Sequence, residues 1–433
     1  MIVPFALHPE AVPSRYVDGY RAFEECGHGP VSAKQAMILF YDLGSPEASE
    51  CQDSVISSAQ LISRGSQELT QSYNCPHSDS LGGHSTRAAL TIEQGSDKHA
   101  AAKMPAIAPS EPLTFAQAME LERVPSEDEI YLSRYPALSY DYAPGKPLSV
   151  QRSYGGHVYA QAIWAASQTI RDTGLRVHEA NGYWTQAGHA NRPFVFEIKT
   201  LSQTRSFVLR QVTARQPTTP SDVCPFPLSD ASKSLGPVAF ALTCSFKAPE
   251  EGPGYWIKLN REKYSDLLQK DPTMHPASEY VRGPNRAGTI KLADFPGIEV
   301  RTPDLTAYNE KNRGTEHRRM HIYRGVAPLI VDPNMIAAAH AFVSDRAGLS
   351  VLLHTFEAKT LGVSGSLNHK MVFHIDPEKL KLDEKGWFIQ EMSSSRGAEG
   401  RAIIESRIWD PSGELVASTV QDAMFRSIKP KLS

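Results

Sequence analysis

The stretch Tyr154-Gly155-Gly156-His157-Val158-Tyr159-Ala160-Gln161-Ala162 decides how the chain is read. Two glycines feed residues 158–170, an alanine-rich run with few breakers, so the pattern is a glycine turn entering a helix. Ala160, Ala162, Ala165 and Ala166 are small enough to let a sheet approach closely. A short helix is predicted ahead of it from Leu113, Ala116, Gln117, Glu120 and Leu121. Strand patterns follow it. Phe194, Phe196 and Ile198 alternate with Val195, Glu197 and Lys199, close to a period of two. Residues 206–214 are a second strand, and 236–246 a third after the Pro/Ser-rich loop 216–234.

The same order then recurs. A Gly-, Pro- and Arg-rich linker runs from about 249 to 296, and short strands are predicted over 298–302 and 321–324. Asp332-Pro333 opens a helix, with Asp as N-cap and Pro at the first helical position. Met335, Ile336, Ala339, Phe342 and Val343 fall at helical spacing, and this second helix is expected to run over 335–353. Strands follow over 366–375, 387–393, 400–409 and 414–425, the last two joined by the turn Asp410-Pro411-Ser412-Gly413. Helix then strands, twice, is a duplicated α+β unit.

The whole-chain figures bound what this unit can do. At 433 residues the chain has room for two to three domains. A net charge of −3 gives no basic field for nucleic acid. No apolar run reaches the length of a membrane span, and the start, Met1 to Leu7, is a poor signal peptide. Five scattered cysteines without a C-x-x-C pair argue against zinc or redox chemistry and for a reducing, intracellular setting. Lys431-Leu432-Ser433 carries the letters of a peroxisomal address in the wrong order, and because a receptor reads order it has little weight; cytoplasm and peroxisome are left unresolved. Residues 1–111 differ from the rest, with Ser, Gly, His and Ala dominating from Ser45 to Ala108. Apart from a short helix near 33–41 they read as a poorly ordered extension that buries too little to offset its ordering entropy.

Five blocks in order resemble the type II acyl-CoA thioesterases (TesB-like). Tyr154 to Ala162 resembles that family's F-G-G-x-x-x-x-Q-A segment, and Ser206-Phe207 with Arg210 and Val212 its S-F-x-x-R-x-V strand. Ala341-Phe342-Val343-Ser344-Asp345 is similar to its A-x-x-S-D helix, and 366–374 to S/T-L/I-D-H-x-M-x-F-H. Residues 415–422 resemble L-V-A-S-x-x-Q-E. The resemblance covers about 113 to 426. It implies a tandem (double) hot-dog fold, two antiparallel curled sheets each wrapped round a central helix. The expected division is a 1–111 extension, an N-terminal hot-dog at 112–248, a linker and insertion at 249–296, and a C-terminal hot-dog at 297–428 carrying the catalytic residues. It also implies hydrolysis of acyl-CoA to free acid and CoA, with Asp345, Ser366 and Gln421 jointly orienting a water and no cofactor or metal.

That chemistry is sound on its own terms. A thioester is reactive enough for a positioned water to attack. Asp345 could act as base and Ser366 and Gln421 could fix the water. Exposed N–H groups near Gly155 and Gly156 could meet the developing oxyanion. With these glycines, His157 and His369 are candidate substrate contacts, although a histidine in such a position is more commonly structural. Taken alone, Asp345 reads as a solvated helical Asp and Ser366 as an ordinary strand serine.

The sequence departs from the family in places. Asn368 stands where the family has Asp, and Gln186-Ala187-Gly188 replaces its R-P-G. The 216–234 loop and the linker are extra, which reshapes the substrate mouth. A carrier-bound or CoA-bound polyketide thioester and a non-catalytic acyl-thioester binder are therefore the alternative readings, and a homo-oligomer is a possible partner. Rival motifs are weaker. In Gly83-His84-Ser85-Thr86-Arg87, Arg87 takes the second glycine position of a nucleophile elbow, and Asp79 with His84 matches a hydratase spacing only by coincidence. No G-x-G-x-x-G or P-loop occurs.

Overall fold

The computed structural model describes residues 113–139, 152–276, 296–312, 316–326, 330–346, 348–355 and 361–427. The predicted extension, the helix near 33–41, the two rival motifs at 79–87 and the C-terminal tripeptide lie outside them.

Among the described residues twelve strands form one antiparallel sheet. They are β1 (Leu121–Arg123), β2 (Glu129–Ser133), β3 (Arg176–Trp184), β4 (Val195–Gln203), β5 (Phe207–Arg215), β6 (Phe240–Lys247), β7 (Ile298–Arg301), β8 (Arg319–Gly325), β9 (Leu361–Phe373), β10 (Phe388–Ala398), β11 (Arg401–Trp409) and β12 (Leu415–Ser427). Their order is β1-β2-β4-β5-β6-β3-β9-β12-β11-β10-β8-β7, so six strands from before the linker lie beside six from after it. The halves meet at β3 and β9, paired from Glu179↔Val372 to Tyr183↔Asn368. The expectation of two sheets is refined by this seam, which joins them into one hydrogen-bonded surface. Among the described residues six α-helices accompany the strands: α1 (Phe115–Ala118), α2 (Gly155–Ser167), α3 (Ser265–Leu268), α4 (Thr306–Lys311), α5 (Pro333–Ser344) and α6 (Ser350–Thr355).

The two long helices, α2 and α5, are buried along nearly their whole length and pack against each other in a shared core. Every alanine of α2 from Ala160 to Ala166 is fully buried, which is the close approach their small size permits. α5 starts as its sequence predicts: Asp332 Oδ1 accepts from the Asn334 and Met335 N–H groups at 2.8 and 3.0 Å, with Pro333 at the first position. Asn334 then ties this start to the seam strand by accepting from the Val177 N–H at 2.8 Å.

Two helix boundaries differ from expectation. α2 begins at Gly155, so the paired glycines are its first turn rather than a turn before it, and it passes into a 3-10 segment that Gly174 ends at φ 71°. The predicted 335–353 helix stops at Ser344, and α6 begins separately. A Cβ at Gly348 would lie 2.6 Å from Gln421 Oε1, so the chain needs glycine where it crosses that side chain.

The inserted segments cover the sheet. Phe226 of the 216–234 loop is fully buried with Leu132 and Val195. Leu259 and Tyr264 of the linker pack with Met320, Ile322, Ile389 and Trp409. No helix among the described residues is long and apolar enough to cross a membrane.

Candidate active site

Asp345, Ser366 and Gln421 come together from α5's end, β9 and β12. Gln421 is central: its Nε2 donates to Asp345 Oδ1 and to Ser366 Oγ, each at 2.6 Å. Both amide hydrogens are thereby used, and the carboxylate and hydroxyl are held beside one another.

A bulge makes this possible. Along β9, Phe373, Met371 and His369 face the core at every second residue, a phase that would point Leu367 inward and Ser366 outward. The ladder to β12 slips between Asn368↔Asp422 and Ser366↔Ala423, so Leu367 has no partner. One extra residue inverts the phase and turns Ser366 to the face that carries Gln421. Asn368 pins the slip, its Oδ1 accepting from the Asp422 N–H at 2.9 Å. The neutral amide found where the family has a carboxylate thus still makes this bond.

Asp345 is the C-cap of α5, in helical conformation. The residue retains partial solvent exposure, but its surroundings are largely protein. Burial pushes its carboxyl up to about 6, opposed by the hydrogen bonds from Gln421 and from the Gly156 N–H. That second bond has a structural reason. Tyr154, the N-cap of α2, offers no side-chain cap, and Asp345 supplies an acceptor from α5 at the positive end of the helix. The approach demands glycine. A Cβ on Gly155 would lie 2.7 Å from Asp345 Oδ2, and one on Gly156 would lie 2.5 Å from the Phe342 carbonyl. Tyr154 Oη also donates to that carbonyl, at 2.7 Å.

His157 and His369 are both 1% exposed, and burial holds each near a pKa of about 3, hence neutral. His157 Nδ1 accepts from the Leu138 N–H at 3.2 Å. His369 pairs with Ser344 Oγ through Nε2 at 2.9 Å, while Ser344 Oγ donates back to the Ala341 carbonyl. The imidazole is then the donor, which places its hydrogen on Nε2. Both histidines brace the ends of α2 and α5 next to Asp345. Neither lines the cleft described next.

Several supporting residues were not singled out from the sequence. Gln390 donates to the Ser344 carbonyl at 2.8 Å and to Ser406 Oγ at 3.2 Å, satisfying the end of α5 directly before Asp345. Gly348 makes room for Gln421, and Trp184 closes over Gly155 with its Cζ2 3.2 Å from where a Cβ would stand. A cleft opens beside them, lined by Gly155, Val158, Trp184, Phe194 and Phe240 with Ser153 at its polar side.

Comparison with known proteins gives a consistent set. The family model of the acyl-CoA thioesterase N-terminal domain matches residues 146–226, and that of the C-terminal domain matches 291–425. Acyl-coenzyme A thioesterase 8 of Mus musculus is 26% identical over 290 residues, which span 65% of this chain and 82% of that protein. Acyl-CoA thioesterase 2 of Haemophilus influenzae is 24% identical over 284 residues, 64% of this chain and 89% of that protein. Among solved structures, the acyl-CoA thioesterase II TesB2 of Mycobacterium marinum aligns with a TM-score of 0.51 at 22% identity, covering 73% of this chain and 99% of that one. This last likeness is one of fold, the tandem hot-dog.

Proposed function

The chain belongs to the double hot-dog acyl-CoA thioesterases, and we propose that it hydrolyses acyl-CoA to free acid and CoA with a water held by Asp345, Ser366 and Gln421. The observation that carries the site assignment is the Gln421 amide, which links the carboxylate and the hydroxyl through two 2.6 Å hydrogen bonds. A water in that cradle has an acceptor in Asp345 and polar neighbours that fix its lone pair toward a thioester carbon.

In this reading Asp345 takes a proton as the water oxygen bonds the carbonyl carbon, and the carbonyl pair moves onto its oxygen. Collapse of that intermediate breaks the carbon–sulfur bond. The departing thiolate takes the proton back from Asp345, which returns the carboxylate for the next cycle. A base with a pKa of about 6 suits both transfers near neutral pH. His157 and His369, uncharged and bound to protein groups, are assigned as braces for the helix ends rather than as direct substrate contacts.

The hot-dog units are assigned to 112–248 and 297–428, with 249–296 as the covering linker. All three proposed catalytic side chains come from the second unit, while Gly155 and Gly156 of the first close the site. One chain supplies every group, so a second copy is not needed to complete it. An intracellular location fits a CoA ester as substrate. The reading is tested by following free-thiol release from acyl-CoAs of short to long chain, with the acid product identified. Turnover of at least one length is expected, and tight binding of CoA esters without thiol release would overturn it in favour of a binding protein.

A further inference from the structure

A tetrahedral intermediate places a full negative charge on one oxygen, and that oxygen needs donors already in position. The Gly156 N–H faces the Asp345 carboxylate. At the head of α2 this leaves the Gly155 N–H, which stands at the first helical position and outside the intrahelical ladder. A single main-chain donor is a sparse site for an oxyanion.

We propose that the indole N–H of Trp184 is the second donor, and that the cleft between Trp184 and Gly155 is the subsite for the acyl carbonyl. The proposal rests on the thioesterase reading above and adds a residue to it. Trp184 is 5% exposed, and its Nε1 is buried with no hydrogen-bond partner among the described residues. An indole N–H can only donate, so a partner must be brought to it. Its position suits a substrate oxygen. The Cζ2–Cε2 edge, to which Nε1 is attached, lies 3.2 and 3.3 Å from the point where a Gly155 Cβ would stand. Asp345 Oδ2 lies 2.7 Å from the same point on the catalytic side. The proposed base and the edge that bears the orphan donor thus converge beside Gly155, closer than a methyl group would allow.

The ring is also fixed. Its centroid sits 5.3 Å from Phe240, 6.2 Å from Tyr159 and 6.4 Å from His369. A donor clamped in this way needs no reorganisation when charge develops. Beyond it, Val158, Phe194 and Phe240 give the small cleft an apolar wall.

The test uses Trp184→Phe, which keeps an aromatic ring and removes only the N–H side of the indole. On the acyl-CoA that wild type turns over fastest, kcat is expected to fall about 10²-fold, the lower end for loss of an oxyanion donor, with KM changed far less. Binding of two inert CoA analogues separates this from packing. An amide analogue retains the carbonyl and is expected to bind the variant about tenfold more weakly, while a thioether analogue without a carbonyl binds both proteins alike. Trp184→His, which restores a ring N–H, recovers part of the rate. Wild-type kcat in Trp184→Phe, or equal weakening of both analogues, overturns the proposal. Asp345→Asn runs alongside: if it loses activity and Trp184→Phe does not, only the carbonyl subsite fails, whereas full activity in Asp345→Asn removes the catalytic reading itself.

Discussion

At the scale of the residue, Asp345 does two jobs with one carboxylate. It accepts from Gln421 and faces the Gly156 N–H at the start of α2, yet burial outweighs both and raises its pKa to about 6. Only the ionised form can take a proton from water, so kcat/KM should fall as pH drops through about 6, with one acid limb. His157 and His369, held near 3, add nothing to the profile in that range. A rate that stays flat from about pH 7 to about pH 5 would contradict the role given to Asp345. Stability has the opposite sense. The folded state holds the Asp345 proton more tightly than the unfolded chain does, so the native state loses relative stability as pH rises from about 4 to about 6. Asp345→Asn removes that loss, and the variant should be no less stable than wild type at neutral pH. A drop in activity there is then chemical.

At the scale of the element, the bulge in β9 is the device that builds the site. Asn368→Ala removes the acceptor for the Asp422 N–H and loosens the slip that turns Ser366 inward. We expect thiol release to fall about tenfold, in line with a small misplacement of a water-orienting group. Asn368→Asp supplies an acceptor at the same point and should hold most of the rate. Equal rates in wild type and Asn368→Ala would show that the bulge holds without this bond. These elements also show what could be read in advance. Asp332-Pro333 predicts the start of α5 because a cap is a local bond, and the alternation over 194–199 predicts β4 because a half-buried strand repeats every second residue. The strands β1, β2 and β3 went unread. β3 is the telling case: His178, Glu179 and Asn181 give it a polar texture, since its outer face carries ion pairs such as Glu179 with Lys370 at 3.0 Å. Nor could periodicity show why Gly348 is needed, because the side chain that requires it comes from β12, 73 positions later in sequence. Resemblance named Asp345, Ser366 and Gln421; the bulge, the Gln390 bond and the Trp184 cover depend on contacts between distant strands and leave no local pattern.

At the scale of the whole molecule, the seam between β3 and β9 and the shared packing of α2 on α5 make the two units one folding entity across residues 113–427. The core runs without interruption from Val158 and Phe240 to Phe342 and Met371. Thermal unfolding followed by tryptophan fluorescence and by far-ultraviolet circular dichroism should therefore give coincident transitions for this region. Two separated transitions would mean that the seam does not couple the halves. The same coupling explains why catalysis draws on both: the proposed base sits in the second unit, and the glycines that let it approach sit in the first. The most direct measurement of the central claim is free-thiol release from acyl-CoA by wild type and by Asp345→Asn under identical conditions. The account predicts turnover by wild type and a loss of roughly 10²-fold or more in a variant that remains folded, and undiminished turnover by Asp345→Asn would contradict it.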